Sequence, residues 1–240
     1  SRLPPPTTHG GPVDGMLAEY AVLDEQDAVH VPAHLSFEEA ATLPCAAVTA
    51  WHGLMETPPP LKPGATVLVL GSGGVSMFAL QFARAAGARV IMTSSSDHKL
   101  QRGRDLGATA GINYRQMPEW EKEVLRLTDG QGVDCVVEVG GAGTLARSIQ
   151  AVGAGGKIAL IGVLSGPQGD TTPHPLMFKN ASLHGIFVGS RGMFERMNRA
   201  IEANGIRPVV DKVFPFDQAL DAYRYQQSGA HFGKVVIAVS

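Results

Sequence analysis

The sequence predicts an α/β fold built on a doubly wound parallel sheet. Three observations carry this. Short apolar runs of strand type recur six times, separated by segments of helical character. The central run, Thr66-Val67-Leu68-Val69-Leu70, is apolar after its first residue, as expected of a strand buried on both faces. A glycine turn, Gly71-Ser72-Gly73-Gly74-Val75-Ser76, joins that run directly to an alanine-rich, proline-free segment that stops at Gly87.

Taken in order, residues 1–11 are a proline-rich, polar lead-in without periodicity. Residues 16–23 alternate loosely and predict a strand, and residues 28–32 a second short extended piece. Ser36-Phe37-Glu38-Glu39 is a serine N-cap with a glutamate three residues on, which starts a helix. Residues 44–51 continue as helix until the prolines at 58–60. After the central strand and its helix (77–86), strands are expected at 89–93, 110–113, 133–139, 157–161 and 183–188. Helices are expected between them at 97–106, 120–127 and 144–152, and after the last at 194–203. The tail holds a helix near 218–226 and a strand at 234–239, and reads as appended to the repeating sheet unit.

Strand, glycine turn and helix in sequence form the context in which Gly-x-Gly-x-x-Gly has a mechanism. Gly71 permits the tight turn, and Gly73 lets a pyrophosphate approach the backbone. The following helix offers free N–H groups and the positive end of its dipole to phosphates. Ser76 stands at the third glycine position, which serves helix–strand packing, and serine is small enough to be accommodated. The alternative is a plain strand–turn–helix.

Composition adds bounds. The 240 residues are 44% hydrophobic and 18% charged, within the ordinary globular range. A net charge of -2 argues against a broad attraction to nucleic acid or anionic membrane. The two cysteines, Cys45 and Cys135, lack disulfide or metal-site spacing. With no membrane-length apolar run and no signal peptide, a cytoplasmic location is expected. The chain starts at Ser1 and runs straight into prolines, which reads as entry partway through a longer protein.

Five stretches together carry a resemblance: 43–51 (LPCAAVTAW), 71–76 (GSGGVS), 112–115 (INYR), 161–163 (IGV) and 231–236 (HFGKVV). They resemble the medium-chain dehydrogenase/reductase superfamily, in the branch of alcohol dehydrogenase-like proteins near the quinone oxidoreductases. The resemblance covers essentially the whole chain. It implies a six-stranded Rossmann sheet that binds a dinucleotide at residues 46–190. Residues 1–45 and 191–240 would be the remaining parts of a discontinuous, barrel-like catalytic domain, most of which would precede Ser1. The implied activity is hydride transfer between a nicotinamide cofactor and an alcohol, aldehyde, ketone or quinone-like substrate. A dinucleotide-binding module without chemistry, sensing or structural, is the alternative. S-Adenosylmethionine also sits on glycine turns and is the third reading.

The resemblance also implies site residues. Cys45 falls where zinc-dependent relatives place a metal ligand, but the Gly-His-Glu segment and the four-cysteine loop of those relatives are absent from this sequence. Cys45 is therefore expected to be a small buried cysteine, with a substrate-pocket wall as the alternative, and no zinc is expected. Thr49 is similar to a position near the nicotinamide ring; a threonine bonded to its own helix backbone is the competing reading. Gly74, Val75 and Lys234 belong to the matching motifs on the cofactor side. Gly140, Gly162, Val163, Gly189 and Ser190 follow strands at the edge where doubly wound sheets bind ligands. Cys135, Trp51 and Trp120 are expected to be packing residues. Relatives pair the last strand with its two-fold mate, so a homodimer through 183–188 is expected.

The choice of cofactor is read at the end of the second strand. NAD-type folds place an acid there, roughly 20 residues past the glycines, to bond the ribose hydroxyls. Here Ser94, Ser95 and Ser96 occupy the position, and Asp97 opens the next helix as a cap. Lys99, one turn into that helix, is expected to reach back over the serines. Tyr114 resembles a tyrosine that quinone oxidoreductases place against the 2′-phosphate. Hydroxyl and ammonium donors without an acid predict NADP(H), with NAD the weaker alternative.

Overall fold

The computed structural model describes residues 8–11, 13–166, 168–169 and 171–239; the first seven residues of the proline-rich lead-in lie outside them. Six parallel strands form one sheet: β1 (Thr66–Leu70), β2 (Arg89–Ser94), β3 (Ala110–Asn113), β4 (Val133–Glu138), β5 (Val152–Leu160) and β6 (Ser182–Gly185). Their order is β3-β2-β1-β4-β5-β6, the doubly wound arrangement expected from the sequence.

All five residues of β1 are buried, and its alternating side chains feed two separate cores. Val67 and Val69 pack on one face against the helical stretch Leu43–Glu56, against α3 (Gly74–Ala85) and against a later helix at Arg191–Asn204. Leu68 and Leu70 pack on the other face with Trp120 and Val124, Ile149 and Leu176, from helices at Trp120–Leu127, Leu145–Ala151 and His174–Lys179. In chain order, α1 is Phe37–Ala40 and α2 is Val48–Trp51, the α-helical centre of the 43–56 stretch. After α3 come α4 (Asp97–Asp105), α5 (120–127), α6 (145–151), α7 (174–179) and α8 (191–204). Ser36 caps α1 by accepting from the Glu39 N–H, and the Glu39 carboxylate accepts the Ser36 N–H at 2.9 Å, the reciprocal pair the sequence predicts.

Several boundaries differ from expectation. Residues 16–23 and 28–32 form no strand; Tyr20 and Val22 are almost wholly exposed. Alternation alone does not make a strand without a partner ladder, and none of the described residues supplies one. β5 starts at Val152, which pairs with Val133; the chain then bulges through the glycines at 153, 155 and 156, with Gly155 at φ +69°, before the ladder resumes at Lys157 opposite Cys135. β6 stops at Gly185: Val188 adopts φ +50°, outside strand geometry. The tail contains an unforeseen strand, β7 (Val210–Pro215), before α9 (Ala219–Gln227) and β8 (Lys234–Ala238). β7 and β8 pair with each other in a separate two-stranded parallel sheet.

Lys157, the sixth residue of β5, is fully buried. Its Nζ donates to Leu54 O at 3.1 Å and Thr57 O at 2.7 Å. These carbonyls end the 43–56 helical stretch, where a cation also complements the helix dipole. Burial holds the ammonium below the usual lysine range. Lys157→Met keeps the stem and removes the donors, leaving Thr57 O without its partner while Leu54 O keeps the Leu61 N–H at 3.0 Å. Unpaired buried groups cost about 1–3 kcal/mol each, so the urea midpoint should fall by a corresponding amount with an unchanged m value.

Candidate functional site

A cleft of about 610 Å³ opens along the carboxyl ends of β1 to β5, the edge at which doubly wound sheets bind ligands. Its floor is the glycine turn. Gly71 has φ +74°, and a Cβ placed on Gly71 or Gly73 would meet no protein atom within 4 Å. These two glycines therefore face open cleft, leaving a ligand free to approach the backbone. Gly74 serves packing: a Cβ there would stand 2.5 Å from Lys234 Cδ and 3.1 Å from Ala46 Cβ. Ser76 does more than fit: its hydroxyl donates to Leu70 O at 2.6 Å, tying α3 to the end of β1.

The wall after β2 holds Ser94, Ser95, Lys99 and, from the end of β3, Tyr114. The Tyr114 N–H donates to Ser94 O at 3.0 Å, which fixes the tyrosine beside the serines. Ser96 caps α4 by accepting from the Lys99 N–H. Asp97 is not the cap. Its carboxylate accepts from Asn113 Nδ2 at 2.8 Å and Gln116 Nε2 at 2.9 Å, so it braces the turn after β3. Lys99 does not lean over the serines. Its Nζ donates to Gly229 O at 2.6 Å and His231 O at 2.8 Å. A partly buried ammonium satisfies its donors on the nearest carbonyls, and a C-terminal segment remote in sequence supplies them.

That segment is seated on the glycine turn: the Gly233 N–H donates to Ser72 O at 2.9 Å. Gly229 and His231 thereby become cleft wall. No local signal in the sequence announces this, because the contact is made by tertiary packing. Thr144, Arg147 and Ser165 also line the cleft and were not singled out. Thr144 and Ser165 lie just past β4 and β5, so the strand-end rule that marked the glycines could have found them. Arg147 stands 3.4 Å from the buried carboxylate of Glu121.

The wall after β4 depends on Glu138, which is wholly buried. Its Oε1 accepts from the N–H groups of Gly140 (2.8 Å) and Gly141 (3.0 Å) and from the Thr144 hydroxyl. Its Oε2 accepts from the Ser148 hydroxyl. Four donors on one carboxylate fold the loop after β4 back on itself and set Gly140 and Thr144 at the cleft. The carboxylate is committed to its own loop.

The other expected residues lie off the cleft. Gly162 and Gly189 are packing glycines, since a Cβ would meet Val139 O at 2.1 Å and Val48 Cγ2 at 2.6 Å respectively. Val163 is exposed to solvent, and Ser190 caps α8 by accepting from the Met193 N–H. Thr49 is buried and its hydroxyl donates to Cys45 O at 2.6 Å, the backbone-bonded alternative. Lys234 lies behind the turn with its stem across Gly74. Cys45 corrects the expectation of burial: it is exposed, on the solvent side of the π-helical turn Leu43–Ala47. Cys135 is buried as expected, and burial pushes its thiol up to about 12. Trp120 is buried in the second core and its edge reaches the cleft. Among the described residues, no helix is long and apolar enough to cross a membrane.

Fold and cleft define a nucleotide-binding oxidoreductase of the medium-chain dehydrogenase/reductase superfamily. Residues 74–203 match the family model described as zinc-binding dehydrogenase, and the chain belongs to that family. A zinc-type alcohol dehydrogenase-like protein of Schizosaccharomyces pombe is 53% identical over 237 residues, covering 96% of this chain and 68% of its own. A solved NAD-dependent alcohol dehydrogenase is 38% identical with a TM-score of 0.89, over 96% of this chain and 67% of that one. The mycobacterial protein Rv1454c, solved with NADPH, is 30% identical with a TM-score of 0.77, over 87% of this chain and 67% of that one. The chain thus spans about two thirds of the length of these relatives. Among the described residues, no three His, Cys, Asp or Glu side chains group to hold a metal.

Glu138→Gln tests the loop. An amide oxygen replaces one carboxylate oxygen, and its NH2 group faces donors, so at least one buried donor loses its partner. The cost should be about 1–3 kcal/mol of stability, read by chemical unfolding. Dinucleotide affinity, measured by fluorescence titration, should fall along with it.

Proposed function

We propose that the cleft binds NADP(H) and that the protein transfers hydride between the nicotinamide and an alcohol, aldehyde, ketone or quinone-like substrate. The observation that carries the cofactor reading is the end of β2. Ser94 stands there in place of an acid, and the nearest carboxylate, Asp97, is turned away onto Asn113 and Gln116. An acid would repel a 2′-phosphate; hydroxyls of serine and tyrosine donate to it. The relative solved with NADPH supports this reading, and the NAD-dependent relative defines its alternative.

The bound nicotinamide supplies the hydride chemistry. The chain's contribution is placement. Gly71 and Gly73 let the pyrophosphate meet the backbone, α3 offers its N-terminal N–H groups, and Glu138 holds the loop that closes the cleft after β4. Turnover of cofactor with a panel of alcohols, aldehydes, ketones and quinones tests the activity. Cofactor binding without turnover on any of them would instead favour a non-catalytic dinucleotide-binding module.

For the division of the chain we propose residues 46–190 as the dinucleotide-binding domain, with 1–45 and 191–240 belonging to a second domain. The separate β7–β8 sheet supports this. We also propose a homodimer through β6. This strand is the sheet's edge; Leu183 within it and Phe187 just past it are exposed, as are Met177 and Phe178 of α7, apolar side chains of the kind an isologous contact would cover.

Two measurements follow. Calorimetry should find NADPH bound more tightly than NADH, and Ser94→Asp should reverse the order; equal affinity of the wild type for both would remove the NADP(H) reading. Light scattering at micromolar concentration should give a dimer mass, and Leu183→Asp should give a monomer. Leu183 is the better probe than Ile186, whose N–H is already bonded to Leu160 O within the sheet.

A further inference from the structure

We propose that His231 is the proton-linked residue that recognises the ribose 2′-phosphate, presented to the cleft by the C-terminal segment 229–233. The proposal rests on the NADP(H) reading and identifies which group of that site carries a titratable charge.

Three observations lead to His231. It lines the cleft on the same wall as Ser94, Ser95 and Lys99. The cation expected to meet the phosphate, Lys99, has two of its three N–H donors spent on the carbonyls of Gly229 and His231 itself. The other fixed cation of the cleft, Arg147, is on α6 and faces the Glu121 carboxylate. His231 is unlike both. Its Nδ1 is buried with no hydrogen-bonding partner among the described residues, which leaves Nε2 as the nitrogen a ligand can meet.

The segment is held firmly enough to present a ring. Lys99 grips the His231 carbonyl, the Gly233 N–H is bonded to Ser72 O in the glycine turn, and the His231 ring lies edge-on to Tyr225 of α9 with centroids 6.5 Å apart. The charged groups that act on the ring are Lys99 on α4, Asp211 on β7 and Lys234 on β8, and the titratable phenol of Tyr225 on α9 lies against it. Asp211 is already bonded to Arg102 and to the Tyr225 hydroxyl, so its charge is shared out before it reaches the imidazole. Burial first, then Lys99, hold His231 below the usual histidine value, so without ligand the ring is neutral at neutral pH.

A phosphate dianion beside the ring reverses that balance. The imidazole takes a proton from solvent and the imidazolium N–H donates to phosphate oxygen, a charge-assisted bond. NADPH binding should therefore take up part of a proton per site, whereas NADH binding should take up none. The ligand cannot mimic this: a phosphate monoester has a second pKa of about 6, and binding it as the dianion releases protons.

The experiment is calorimetry of NADPH and NADH on the whole protein at pH 7.5, in buffers of different ionisation enthalpy. Wild type should show proton uptake with NADPH only, and NADPH affinity should rise as pH falls from 8 to 6.5. His231→Ala should abolish the uptake and weaken NADPH by roughly ten- to a hundredfold, the range for a hydrogen bond to a charged group, with NADH unchanged. His231→Arg should restore NADPH affinity with no proton uptake, an outcome that a merely structural role for the ring would not produce. A preference for NADPH without uptake, or uptake that persists in His231→Ala, would overturn the assignment to His231 and leave the cofactor reading intact. NADPH bound no more tightly than NADH would overturn both.

Discussion

The structure depends on one constraint, that β1 has no free face. A strand flanked by parallel neighbours and covered on both sides must be apolar along its length, so it divides its side chains between two cores. Val67 and Val69 organise the helices of one layer, and Leu68 and Leu70 those of the other. With its own N–H and C=O groups committed to β2 and β4, the strand can change direction only where it ends. The ending is Gly71, in a conformation that L side chains rarely adopt. Everything that meets in the cleft is measured from that point.

Charge is placed sparingly around the cleft, and the structure satisfies it in specific ways. Glu138 is buried with no ion pair among the described residues and is held by four hydrogen-bond donors, which turn it into a clasp for its own loop. Lys157 is the converse, a buried ammonium capping the carbonyls of a helical stretch. Each charge offsets the cost of its burial by hydrogen bonding to backbone groups around it. The two also connect layers: Glu138 joins the end of β4 to α6, and Lys157 joins β5 to the 43–56 helical stretch.

The C-terminal segment is the second structural commitment. Its contact with the glycine turn makes the last elements of the chain part of the nucleotide cleft. Lys99 and the Gly233 N–H anchor it at two places, one beside the end of β2 and one at the turn after β1. The cleft is thus closed on one side by residues that belong to no strand of the main sheet. The same contact explains why Gly74 is glycine, since the Lys234 stem crosses it.

What the sequence determined by itself was local or periodic. Apolar runs, the capping box at Ser36 and the glycine turn are written within a few residues of where they act, so the six-stranded fold and the cleft-facing turn were legible. So was the missing acid at Ser94, because its distance from the glycines is set by one helix and one strand. Tertiary structure decided the rest. Lys99 finds its carbonyl partners 130 and 132 residues away, at Gly229 and His231. Cys45 became exposed through the packing of its helical turn, and residues 16–23 stayed unpaired despite their alternation. In each case the outcome rests on which surface arrives from elsewhere in the chain, and no window of sequence contains that information.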